Sequence, residues 1–180
     1  MQRILFVLTL GFIIFLGCRD IHALTLKEIQ TKVTPEGFLV VSAMFHNFPT
    51  QELLLSLKRQ KGEIVVIYEF EVLRDRRLGA DLLQREIYFQ KAGYIPEKNQ
   101  YFFEDNWDKI LYNSAEEVIP KLSFLSSYPL DVRALLPISS GTYLLVKVTL
   151  RYRTHLNEDL RNTSKEREVI LKTAKRHALY

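Results

Sequence analysis

The stretch Thr142-Tyr-Leu-Leu-Val-Lys-Val-Thr-Leu-Arg-Tyr-Arg153 decides the fold class. Leu144, Val146, Val148, Leu150 and Tyr152 fall on every second position, and Tyr143, Leu145, Lys147, Thr149, Arg151 and Arg153 face the other way. A period of two sends successive side chains to opposite faces of a strand, so one unbroken apolar row meets a core and the row carrying Lys147, Arg151 and Arg153 faces away from it. A strand with one wet face belongs to an antiparallel sheet, since parallel strands are covered on both sides.

Neighbouring segments repeat the pattern. Glu63–Leu73 splits into Ile64, Val66, Tyr68, Phe70 and Val72 on one face and Val65, Ile67, Glu69, Glu71 and Leu73 on the other. Leu82–Lys91 sets Leu83, Ile87 and Phe89 against Gln84, Glu86 and Gln90, and the connection from Gly93 to Asn99 leads into Gln100–Glu104, a further hairpin. Leu26–Val33 and Phe38–Phe45 flank Thr34-Pro-Glu-Gly37, where proline pre-sets the second turn position and glycine closes the fourth.

Two short helices break the strands. In Gln51–Lys61, Leu53, Leu54 and Leu57 share a side, Thr50 can accept from the first amides, and Gly62 can close the end. Its leucine face is expected to cover a sheet. Ser114 and Glu117 have capping-box spacing ahead of Ala115–Leu125, which Pro120 shortens or kinks. Ser126–Ser140 has turn formers and no clear period. Thr154–Tyr180 is polar and basic, and Lys165–Arg176 has too thin an apolar face for more than a marginal helix or mobile tail. The expected fold is mainly β: an antiparallel sandwich or curved sheet with two short helices.

The composition suits one domain with a sizeable core: 180 residues, 47% hydrophobic, 26% charged and 12% aromatic, with only seven Gly and six Pro. The formal charge of +4 is concentrated late, because residues 151–180 hold eight Lys/Arg against four Asp/Glu. Met1-Gln-Arg3, the apolar run Ile4–Gly17 and the polar exit Arg19-Asp-Ile-His-Ala23 have the layout of a secretory signal. The expected division is a leader at 1–23, a β-rich domain at 24–153 and the basic tail at 154–180. Three chemistries fit the leader: cleavage after Ala23, an uncleaved anchor, or lipidation of Cys18, which follows Phe15-Leu-Gly17 much as in a lipoprotein signal. Cys18 is the single cysteine, so either cleaved form has no free thiol in its folded part, which excludes disulfides, thiolate catalysis and cysteine metal sites.

Enzyme motifs are missing. There is no Gly-x-Ser-x-Gly, Gly-x-Gly-x-x-Gly, phosphate loop or His-Glu-x-x-His. His46, His155 and His177 stand far apart, without partners at ligand spacing. No cofactor or metal is therefore expected. Glu69 and Glu71 lie two apart on a strand, about 6.5 to 7 Å along the chain, a separation compatible with acid and base work on a glycosidic bond. Lys147, Arg151 and Arg153 would instead pair with them if the two strands are neighbours, and that ion pairing is the expected role. Among the aromatics, Tyr101, Phe103 and Trp107 could stack on sugar rings, although aromatics are also preferred strand residues. Asn162-Thr-Ser164 would accept glycan only in a eukaryotic secretory route.

The run Gly62-Glu-Ile-Val-Val-Ile-Tyr-Glu-Phe-Glu-Val-Leu-Arg74, between a leucine-rich helix and a Tyr-rich hairpin, resembles the bacterial envelope family called domain of unknown function 4390. The later Ser-x-x-Glu helix, proline-containing link and Gly141-Thr-Tyr-Leu-Leu-Val-Lys-Val are similar too, and the likeness spans most of Leu24–Tyr152. The resemblance implies an exported protein of Gram-negative bacteria and carries over no catalytic residue. The expectation is a periplasmic or membrane-anchored binding module that meets another envelope protein or an anionic membrane surface through Lys147, Arg151 and Arg153, and not nucleic acid. The rivals are a glycan-acting enzyme using Glu69 and Glu71 and a glycan-binding module using Tyr101, Phe103 and Trp107.

Overall fold

The computed structural model describes residues 24–59, 62–156 and 165–179. The leader with Cys18 and the Asn162–Ser164 pattern lie outside them. The elements are β1 (Thr25–Val33), β2 (Phe38–His46), helix α1 (Thr50–Lys58), β3 (Ile64–Arg76), β4 (Gly79–Ile95), β5 (Gln100–Asp105), β6 (Lys109–Tyr112), helix α2 (Ala115–Leu122), β7 (Phe124–Asp131), β8 (Thr142–Leu156) and β9 (Lys165–Ala178). Two open antiparallel sheets result, one ordered β1-β2-β7 and the other β6-β5-β4-β3-β8-β9. The described residues are therefore mainly β with two short helices. No helix of the described residues is long and apolar enough to cross a membrane.

The large sheet is built around the two clearest period-two segments. In β3, Ile64, Val66, Tyr68, Phe70 and Val72 are at most 1% exposed, and the β8 row Leu144, Val146, Val148 and Leu150 is buried beside them. Each such side chain contributes about 1.5–3 kcal/mol by leaving water. The small sheet contributes Leu39, Val41, Tyr128 and Leu130 to the same core, and the helices contribute Leu53, Leu57, Val118 and Ile119. The small sheet and both helices thus cover one face of the large sheet, leaving the opposite row of Val65, Ile67, Glu69 and Glu71 half-buried. Between β1 and β2, Gly37 adopts φ +86° and donates from its amide to the Thr34 carbonyl at 3.0 Å, which closes the expected turn.

Local details depart from expectation. The Thr50 hydroxyl does not cap α1; it donates to the Phe48 carbonyl, while the Leu53 amide finds the Pro49 carbonyl at 3.0 Å. Ser114 bonds the Glu117 carboxylate directly at 2.9 Å rather than a backbone amide.

Two strands correct the sequence reading. Phe124–Asp131, which takes up the last two residues of the expected helix and runs into the stretch without a clear period, is β7, and the helix ends at Leu122. Its pairing with β2 shifts register between Val41 and Ala43, and Ser127 takes φ +53° with its amide on the Ser42 hydroxyl at 3.1 Å. A bulge of that kind displaces the alternation, so Leu125, Tyr128 and Leu130 are buried at uneven spacing. Lys165–Ala178 is neither helix nor tail but the edge strand β9, paired with β8 from Tyr143↔Ala178 to Leu156↔Lys165. Val169 and Leu171 pack against the core, the Thr31 hydroxyl meets His177 Nε2 at 3.0 Å, and Lys175 donates to the Lys27 carbonyl. Charged residues along an edge strand also discourage pairing with foreign strands.

Candidate functional site

The carboxylates of Glu69 and Glu71 project from the half-buried face of β3, and β8 places Lys147 directly opposite Glu69. The Lys147 ammonium lies 3.3 Å from Glu69 Oε1 and 2.6 Å from Glu71 Oε1, and Arg85 Nε lies 3.0 Å from Glu69 Oε1. Partial burial pushes the Glu69 carboxyl up, but hydrogen bonding with Glu71, Arg85 and Lys147 outweighs it and holds the pKa below the ordinary value. A general acid in glycoside cleavage needs the opposite shift. The arrangement is a neutralised cross-strand cluster, as the strand parity suggested.

Arg151 and Arg153 sit further along the same row, away from that cluster. Together with Glu63, Val65, Tyr152 and Glu168 they line an open polar hollow of about 340 Å³. Several bonds fix its walls. Ser56 of α1 donates its hydroxyl to the Arg153 carbonyl at 2.7 Å, and Tyr152 donates its own to Glu52. Glu63 accepts Lys91 at 3.0 Å, and Glu168 stands opposite Arg153 in the ladder. The three basic residues thus form no single patch: Lys147 is engaged by acids, and the two arginines share their hollow with two carboxylates. A rim of mixed sign suits a partner surface of mixed sign better than a bare anion.

The aromatic trio also separates. Tyr101 rests against Tyr94 at 5.0 Å between ring centroids, and Tyr101 and Phe103 both pack on the core. Trp107, in the turn between β5 and β6, contacts Tyr88 at 5.2 Å and Tyr128 at 5.4 Å instead. Tyr128 lies in the strand that had no visible period, and no spacing rule would have joined it to Trp107. His46 is exposed, His177 is bonded to Thr31, and among the described residues no three of His, Cys, Asp and Glu converge as a metal site would need.

No family model matches the chain, and neither a curated protein nor a solved structure matches it.

Proposed function

We propose that the chain is an exported envelope protein that catalyses nothing and serves as a binding module, held in the periplasm or at a membrane facing it. Its contact surface is the half-buried face of the large sheet around Arg151 and Arg153. The observation that carries this reading is the hollow between β3, β8 and β9, lined by Arg151 and Arg153 together with Glu63 and Glu168 beside half-buried Val65. The secretory layout of residues 1–23 and the resemblance to an exported family support the location. The neutralised Glu69–Glu71 pair favours binding over glycan cleavage.

A photo-reactive residue placed at Arg151, and separately at Leu78 in the exposed β3–β4 turn, tests this in cells producing the full-length chain. The envelope fraction should hold the protein, and a discrete cross-linked product should arise from position 151 alone and vanish in Arg153→Glu. Cytoplasmic protein, or identical products from both positions, would overturn the proposal.

A further inference from the structure

We infer that Trp107 and its rim form a binding platform for a neutral saccharide ring. The site lies where Tyr128 of the small sheet meets Tyr88 of the large one, and does not depend on the contact surface proposed above.

Trp107 is 59% exposed yet fixed. Its backbone N–H and that of Asp108 both donate to Asp105 Oδ1 at 2.9 Å, and the Asp105 amide returns to the Asp108 carbonyl at 2.9 Å. Asp105 Oδ2 in turn accepts the Tyr88 hydroxyl at 2.9 Å. These bonds fix the turn, and packing on Tyr88 and Tyr128 steadies the indole, so little freedom is lost when a ligand settles on it, which is the benefit of preorganisation.

The ring is backed by other aromatics. Tyr88 and Tyr128 have centroids 4.7 Å apart and lie 5.2 and 5.4 Å from Trp107, a nearly equilateral triangle in which the two tyrosines are buried and the indole is not. Tyr128 is itself stacked on Phe70 at 4.9 Å and 13°. The indole therefore rests on the core and keeps more than half of its surface exposed.

The rim selects the ligand. Glu86 is oriented by the Tyr128 hydroxyl and Asp105 by Tyr88, while Asp108 is exposed. Asn106 accepts the Phe89 amide at 3.0 Å through Oδ1, which leaves its amide nitrogen available to donate. Lys109, next along the chain, is drawn off by Glu104 at 3.0 Å and by the Phe102 ring, 4.0 Å from the ammonium. A negative rim repels phosphates, anionic polymers and nucleic acid. A single flat face is no aromatic cage, which is the usual trap for an ammonium group. What fits an exposed indole with acidic neighbours and an amide donor beside it is a pyranose, with its C–H face on the ring and its hydroxyls toward those polar groups.

Trp107 is the one tryptophan, so its emission reports this site alone. The purified chain would be titrated with tetra-N-acetylchitotetraose, with cellotetraose and with a tetralysine amide, and sugar binding followed independently by saturation-transfer NMR. A saturable emission change with at least one saccharide, and saturation transfer that disappears in Trp107→Ala and weakens several-fold in Asp108→Lys, is the expected result. Unchanged melting of the exposed-site variant Asp108→Lys would show that the loss is not one of folding. Flat emission with both saccharides, saturation transfer that survives Trp107→Ala, or saturation by tetralysine alone would overturn the proposal. Because the protein is purified, failure here leaves the envelope location standing.

Discussion

The Lys147 ammonium lies nearer to Glu71, at 2.6 Å, than to Glu69, its directly opposite partner in the β3–β8 ladder, at 3.3 Å. Diagonal reach of this kind is within the span of a lysine across neighbouring strands. It lets one cation serve both acids while Arg85 reinforces Glu69 from β4.

Replacing Lys147 with methionine should cost about 1 kcal/mol in urea unfolding, a figure already reduced for partial solvent screening. Arg85→Met should cost less, because Arg85 is more exposed and holds only Glu69. Adding Glu71→Gln to Lys147→Met should recover part of the loss. The cluster's stability should be full above the ordinary carboxyl value of 4.5 and decline as acid protonates Glu69, whose pKa is lowered in the fold. A cost for Arg85→Met above that for Lys147→Met would contradict this assignment.

Two glycines should respond differently to alanine. A Cβ on Gly62 would stand 2.2 Å from the Ser56 carbonyl oxygen, where α1 meets the start of β3 and only backbone could yield. A Cβ on Gly93 would meet the Phe102 ring at 2.5 Å, a side chain that can rotate. Gly62→Ala should therefore cost about 3 kcal/mol and Gly93→Ala about 1–2. Thermal melting of both variants reads the difference.

Four of the nine tyrosines should keep their protons beyond the ordinary value of 10.0. Burial raises Tyr68, Tyr88, Tyr128 and Tyr152, and the neighbouring carboxylates of Asp105, Glu86 and Glu52 raise the last three further. Above pH 10.0 the unfolded chain gives up these protons and the native state keeps them, so stability is full below that value and falls as pH rises, by about 1.4 kcal/mol per pH unit for each retained proton. Tyrosinate absorbance should stay short of its full value until the far-ultraviolet circular dichroism is lost. A single step involving all nine with the fold intact would contradict the burial.

What could be read from the chain alone divides along a physical line. The rows of β3 and β8 were visible because parity along one strand is local information, and parity likewise put Glu69 and Glu71 on one face; that Lys147 meets them depends on the β3–β8 pairing, which parity does not reveal. β9 was invisible because an edge strand with only Val169 and Leu171 against the core is stabilised by a partner ladder that its own sequence does not advertise. β7 was obscured by its bulge. Aromatic composition alone grouped Trp107 with Tyr101 and Phe103; the turn at Asp105 carries the indole across to Tyr128 in the other sheet.

The strand order also sets a timetable. Ile64-Val-Val-Ile-Tyr68 carries no charge and pairs on one side with β4, a short hairpin away, but on the other with β8, so that Val65 waits for Arg151, 86 residues later. During synthesis that flank of the central strand stays bare until almost the whole chain has emerged. Segments of this composition adhere to one another when unpaired, and non-local closure of this kind is slow. The early chain therefore depends on the late one for its solubility, and truncations ahead of Thr142 should aggregate rather than yield a smaller folded protein.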